Sequence, residues 1–212
     1  MRLLDIKNRT KNLLIFNKSA LRNFEPNASA LDANLRYWLR TGELIALKKG
    51  LYIWRDKYQQ MPQDQLLEYL ATQLVTPSYL SLEYVMAKYQ LLSEPVSVLT
   101  LATPKITREI TNTLGVFRYY SLAPKLFTGY QVHYFNGAVP VWEAKKNKAV
   151  FDYLYLRFLR STAVSEMAIK ELRINWENLT KREFAEMSAY ATLSNRRQIK
   201  KVLAMIKNLY YA

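Results

Sequence analysis

Between positions 29 and 40 the apolar side chains Leu31, Leu35, Trp38 and Leu39 recur at the interval that lines one face of a helix. Ser29 is the expected N-cap of this helix. Thr41-Gly42 is its expected end, because glycine takes the left-handed conformation that closes a helix. At about 100° per residue the opposite face carries Ser29, Ala33, Arg36, Tyr37 and Arg40. Two short runs, 44–48 and 51–54, then read as strands joined across Lys49-Gly50. Upstream, residues 7–16 read as a short helix, with Leu13-Leu14-Ile15-Phe16 fitting equally well as an extended segment. Asn17 is placed to cap a helix over 18–24, and Glu25-Pro26-Asn27 is a turn. The order helix, turn, helix, basic hairpin over residues 1–57 is that of a winged helix-turn-helix.

Beyond residue 57 the periodicity alternates between two kinds. A helix is predicted from Met61-Pro62 to about Val75, broken by Thr76-Pro77, and another over 81–91 with Ser81 capping. Alternating and β-branched residues predict strands at 96–102, 116–122 and 130–135, giving a central sheet over about 96–141. From Glu143 onward the pattern is helical again, at 145–159, 164–172, 180–193 and 195–210. Residues 149–159 are apolar nearly all round, which predicts a helix at the centre of the core. The predicted class is α+β: a winged helix-turn-helix over 1–57, then a mixed α/β domain over 58–212 ending in helices at about 143–210.

Composition narrows the chemistry. The 212 residues include no cysteine and one histidine, so disulfides, thiolate metal sites and thiol nucleophiles are excluded and nitrogen ligands are too few for a zinc-type centre. No metal and no cofactor are expected. The N-terminal Met1-Arg2-Leu3-Leu4-Asp5-Ile6-Lys7 is too charged for a signal peptide, and no apolar run approaches the roughly 18 residues of a bilayer span. A cytoplasmic protein without membrane contact is therefore expected. The net charge is +14, and it is unevenly spread: +7 over residues 1–57, zero over 58–140 and +7 over 141–212. Two electropositive segments flanking a neutral middle point to a phosphate backbone as partner.

On the 29–40 helix, small Ser29 and Ala33 permit close approach to base edges, and Arg36, Tyr37 and Arg40 reach bases or phosphates. Lys48 and Lys49 at the hairpin tip would grip backbone, with Gly50 allowing the tight turn. The plainer alternative is an amphipathic helix and hairpin used for protein docking. A second basic surface is expected from Lys145, Lys146, Lys148, Arg196, Arg197, Lys200 and Lys201, as a solvated helix face or as a site for an acidic partner or RNA. In the last helix Ile199, Val202, Leu203 and Ile206 form its inner stripe. His133 falls on the Gln131 face of a strand, in a structural or exposed position, with no carboxylate near it in sequence before Glu143. The five glycines form no phosphate cradle. The sixteen tyrosines suit a core with wet edges, and base stacking is a second use for them.

The segment Leu35-Arg36-Tyr37-Trp38-Leu39-Arg40-Thr41-Gly42 with Lys48-Lys49-Gly50-Leu51-Tyr52 resembles the N-terminal domain of AbiEi-type antitoxins. Pro77-Ser78-Tyr79-Leu80-Ser81-Leu82-Glu83, Gly115-Val116-Phe117-Arg118-Tyr119, Leu126-Phe127-Thr128-Gly129 and Lys148-Ala149-Val150-Phe151-Asp152-Tyr153-Leu154-Tyr155 follow in that family's order, so the resemblance covers roughly residues 10–160. Asn147 departs from it, standing where the family has glutamate before the lysine. The resemblance implies a repressor of its own operon, bound at inverted repeats, whose C-terminal domain counteracts a nucleotidyltransferase-like toxin.

The reading is therefore a non-enzymatic, DNA-binding repressor and antitoxin of a toxin–antitoxin (abortive infection) system, a monomer or weak dimer in solution with two copies per operator. Its competitors are a nucleic-acid-processing enzyme targeted by the winged helix, which needs clustered carboxylates where the sequence shows scattered ones, and a protein-binding adaptor without DNA affinity.

Overall fold

The computed structural model describes residues 2–159 and 163–211. The chain is α+β, with ten α-helices and two sheets among the described residues, and divides into two compact units. The first comprises Met1–Leu67 with Ile110–Gly115, the second Glu68–Glu109 with Val116–Ala212.

In the first unit, helix α1 (Leu3–Arg9) is followed by a two-residue strand β1 (Phe16–Asn17), helices α2 (Lys18–Arg22) and α3 (Ala28–Arg40), strands β2 (Leu44–Lys48) and β3 (Leu51–Trp54) and helix α4 (Arg55–Gln59). The strands form an antiparallel sheet in the order β1-β3-β2. The first helix thus lies earlier than the expected 7–16, and Phe16 belongs to a strand because its ring packs 5.1 Å from Trp54. Asn17 caps α2 through its side-chain oxygen, as expected. Asn27, not Ser29, caps α3 by accepting from the Ala30 N–H, so Ser29 sits inside the first turn. Two capping residue types stand two positions apart, and Asn27, the last residue of the proline turn, is the one with the extended backbone of an N-cap. Gly42, at φ +76°, closes the helix.

The core of this unit joins Ile6, Phe16, Leu21, Leu31, Leu35, Trp38, Leu44 and Trp54. Each such burial contributes about 1.5–3 kcal/mol, which is what holds α3 against the sheet. Trp38 meets Trp54 edge-on at 5.5 Å, and the Trp54 indole N–H donates to Thr10 Oγ1 at 2.9 Å, so the largest side chain has its one polar atom satisfied.

The chain continues with α5 (Gln63–Leu74), whose end opens the second unit, then β4 (Tyr79–Leu80), α6 (Leu82–Lys88), β5 (Leu99–Thr103), β6 (Arg108–Asn112) and β7 (Gly115–Ser121), of which Ile110–Gly115 counts with the first unit, and β8 (Tyr130–Phe135), β9 (Val139–Ala144), α7 (Lys146–Leu159), α8 (Glu166–Lys170), α9 (Lys181–Ser194) and α10 (Arg197–Tyr210). The sheet order is β6-β7-β5-β4-β9-β8, with β4/β9 and β5/β7 parallel and β4/β5 and β8/β9 antiparallel. Every residue of β5 is buried, as a strand covered on both faces requires. The sheet is wider than expected. Strands β4, β6 and β9 were not predicted, and Glu143, expected to open the helical region, lies in β9. Ser81 precedes α6 but makes no cap bond, because its hydroxyl is committed to Asp152. Helix α7 is buried on most sides and packs against α6, α9 and α10.

Helix α9 begins with a capping box, in which the Thr180 oxygen accepts from the Glu183 N–H and Glu183 accepts from the Thr180 N–H. Lys146 Nζ lies 2.9 Å from the other Glu183 oxygen. Burial by itself raises this carboxyl, but Lys146 and Thr180 outweigh it and hold Glu183 below its ordinary value. A carboxyl held low in the folded state adds stability above its unfolded pKa and loses it as pH falls through the folded one. Glu183→Gln is expected to lower Tm near neutrality, with the gap to wild type closing below about pH 4 in a thermal melt series.

Candidate nucleic-acid interface

Helix α3 rotates two populations of side chain to opposite sides. Leu31, Leu35 and Trp38 are buried, while Ser29, Ala33, Arg36, Tyr37 and Arg40 are all exposed. Tyr37 is 53% exposed, unusual for a ring on a helix with a well-formed core face, and the Arg40 guanidinium lies 5.6 Å from its centroid. That cation–π contact pre-orders two long side chains at the C-terminal end of the helix without burying either.

The β2–β3 hairpin follows directly. Lys48 and Lys49 are exposed at its tip, and Gly50, at φ +77°, makes the turn with nothing near the place a Cβ would occupy. The register slips between Ala46 and Lys48, and the Lys18 N–H donates to the Gly50 carbonyl at 3.2 Å, so β1 braces the hairpin. The Leu47 carbonyl accepts from Asn112 Nδ2 at 2.8 Å, a second brace supplied by the 110–115 segment of the same unit.

The electrostatics of α3 involve residues that pattern reading missed. Asp32 sits within the helix and pairs with Lys18 of α2. Its carboxyl is held below the ordinary range by the Lys18 hydrogen bond, and by the fields of Arg36 and Arg22. Arg22, exposed in the last turn of α2, therefore belongs to the same electropositive neighbourhood. Its signal was legible as a basic last turn one proline turn before the recognition-like helix.

The expected second basic surface does not survive as one surface. Lys145, Arg196, Arg197, Lys200 and Lys201 are exposed, whereas Lys146 is half-buried on Glu183 and the Asn178 carbonyl. Lys148 is fully buried, so its place on that surface was wrong. Its ammonium donates to Asp152 and, at 2.8 Å, to the Tyr79 hydroxyl, while the Tyr79 and Ser81 hydroxyls donate to the other Asp152 oxygen at 2.9 and 2.8 Å. The rings of Tyr79, Tyr190 and Phe151 lie 5.4–5.7 Å from the ammonium. Burial pushes the lysine down and the aspartate up, and the pair opposes both shifts. Asn147, at the position of the family glutamate, donates to Glu186 at 2.8 Å and takes no part in holding Lys148.

His133 lies in β8 and is partly exposed, as the alternation suggests, but it has an acidic neighbour that the local sequence does not show. Its Nε2 lies 3.5 Å from Glu68, and Glu68, His133 and Glu143 bring potential ligand atoms within 4.8 Å of one another. Lys88 bridges the two acids, 2.8 Å from Glu68 Oε1 and hydrogen-bonded to Glu143, and Tyr84 donates to Glu68 at 2.9 Å. The acids are thus not all scattered. Burial alone would lower the Lys88 pKa, but the two carboxylates hold it above its ordinary value, which marks the ammonium as their counter-ion. Among the described residues no helix is long and apolar enough to cross a membrane. Comparison with models of known protein families finds none that matches this chain, and comparison with curated proteins likewise finds no match.

Proposed function

We propose that the first unit is a winged helix-turn-helix that binds duplex DNA, with α3 in the major groove and the β2–β3 hairpin on the backbone. The observation that carries this reading is the exposure of all seven side chains Ser29, Ala33, Arg36, Tyr37, Arg40, Lys48 and Lys49 on the two elements that such a fold presents to DNA. Small residues at the start of α3 leave room for base edges, and the cations follow where phosphates pass. Four of the seven are cationic. Full engagement of these by phosphates corresponds to a slope of about −3 to −4 in log affinity against log salt for each bound copy. Fluorescence anisotropy with a duplex containing the upstream inverted repeat, between about 50 and 200 mM salt, tests this. A flat response, or no binding at low salt, would overturn it.

The rest of the reading rests on the AbiEi resemblance: repression of its own operon by two copies at an inverted repeat, and opposition to a nucleotidyltransferase-like toxin. Its test is growth rescue on co-expression with the neighbouring toxin gene. A second reading, metal-assisted nucleic-acid processing, is favoured only by the Glu68, His133 and Glu143 cluster. Lys88 already engages an oxygen of each carboxylate in that cluster and offsets part of its charge, so magnesium is expected to elicit no nuclease activity from the purified chain on single- or double-stranded substrates.

A further inference from the structure

A cleft of about 420 Å³ in the second unit lies outside the proposed duplex interface. Phe127, Tyr130 and Trp142 wall it, and Gln73, Thr76 and Ser78 stand among its polar lining. The register of β8 with β9 explains why the rings converge. Tyr130 pairs with Ala144 and Val132 with Trp142, so Tyr130 and Trp142 point from the same face of the hairpin. Their rings meet edge-on at 5.8 Å and 83°, with Phe127 5.3 Å from Tyr130. Trp142 remains 38% exposed.

The wall is held from behind. Tyr79 stacks on Tyr130 at 4.8 Å, and its hydroxyl is pinned between Lys148 and Asp152. The buried ion pair, which the duplex interface does not use, therefore fixes the platform on which the cleft is built. A ring platform ordered before binding loses little freedom when a flat ligand arrives.

Four features select that ligand. Aromatic walls favour a planar ring, which stacks or meets them edge-on. None of the described lining residues carries a charge, so the part that enters is uncharged. The carboxamide of Gln73 offers donors and an acceptor, its nitrogen making a long 3.4 Å bond to Thr72, and the hydroxyls of Thr76 and of Ser78, the latter donating weakly to the Thr72 carbonyl at 3.5 Å, add further polar edge. A net charge of +14 repels flat cations and favours rings attached to phosphate. We infer that this cleft binds a nucleobase, stacked against Tyr130 and Trp142 and hydrogen-bonded along its edge by Gln73.

The base has two sources, a free nucleoside or an unpaired base in a strand, and calorimetry on the full chain separates them. Adenosine, guanosine, cytidine and uridine are titrated singly, then a short single-stranded oligonucleotide of mixed sequence. At least one is expected to bind saturably with a Kd of about 1 mM or tighter, and Gln73→Ala and Trp142→Ala are expected to weaken it at least tenfold. Nucleoside binding identifies the free source. Oligonucleotide binding alone, lost in the same variants, identifies the strand. Gln73 is half-buried on a helix, so its alanine variant keeps the fold, which its unchanged Tm and unchanged duplex affinity verify. No binding by any of the five probes, or binding equal in wild type and both variants, overturns the inference. Because duplex affinity is read separately, its loss or survival does not decide this result.

Discussion

Replacing Arg40 and Lys49 together by alanine is expected to reduce duplex affinity roughly tenfold to a hundredfold at moderate salt and to flatten the salt slope by about two units. Both side chains are exposed, and neither contributes to the cluster that holds α3 on its sheet, so the variant keeps its fold and the loss reports contact with DNA. The two positions separate in a finer experiment. Lys49 at the hairpin tip is placed for backbone, and its removal alone should weaken all duplexes equally. Arg36 and Tyr37 lie on the exposed side of α3, and under the proposed duplex-binding mode their alanine variants should narrow the gap between the inverted repeat and a scrambled duplex. Anisotropy on both duplexes reads the difference. Affinity and slope that stay at wild-type values in the double variant would remove α3 and the hairpin as the interface.

Asp152→Ala should be the most damaging single substitution in the second unit. It takes away the anion paired with Lys148, leaves the Tyr79 and Ser81 hydroxyls without their acceptor, and strands an ammonium that has no exposure to water. Breaking a buried pair from one side costs about 3–5 kcal/mol. The expected result in urea unfolding is a loss of that size in unfolding free energy, read as a lower midpoint at unchanged slope, or failure to accumulate folded protein. Lys148→Met combined with Asp152→Leu removes both charges and should recover most of the loss, because the desolvation cost disappears with the pair. An Asp152→Ala variant within about 1 kcal/mol of wild type would show that the site opens to water or sheds its charge by proton transfer. Tyr79, which backs the cleft in the same unit, loses its anchor in this variant.

The contrast between these two sites explains what pattern reading reached. The stripe of Leu31, Leu35 and Trp38, the hairpin of β2 and β3 and the inner face of α10 were all legible, because each depends on residues within a turn or two of one another. Strand β4 was not. Two residues are too few to show alternation, and its pairing partners, Ala102 and Glu143, lie far along the chain. Lys148 was misread as surface because it stands in a basic run. An acid four residues on, inside a helix apolar on nearly every side, was the available sign of a buried pair. Nothing local pointed to Glu68 beside His133, which lie 65 positions apart.

What the order of residues determined by itself is the first unit's α2, α3 and hairpin and the side on which α3 carries its charges, because helical and strand periods translate spacing directly into sides. What only the tertiary structure decided is which ionisable and aromatic groups meet in the second unit. That outcome depends on the strand order β5-β4-β9-β8 and on the packing of α7 against α6 and α9. These are choices among many long-range pairings that share one hydrophobic pattern, and burial energy summed over the whole core selects among them.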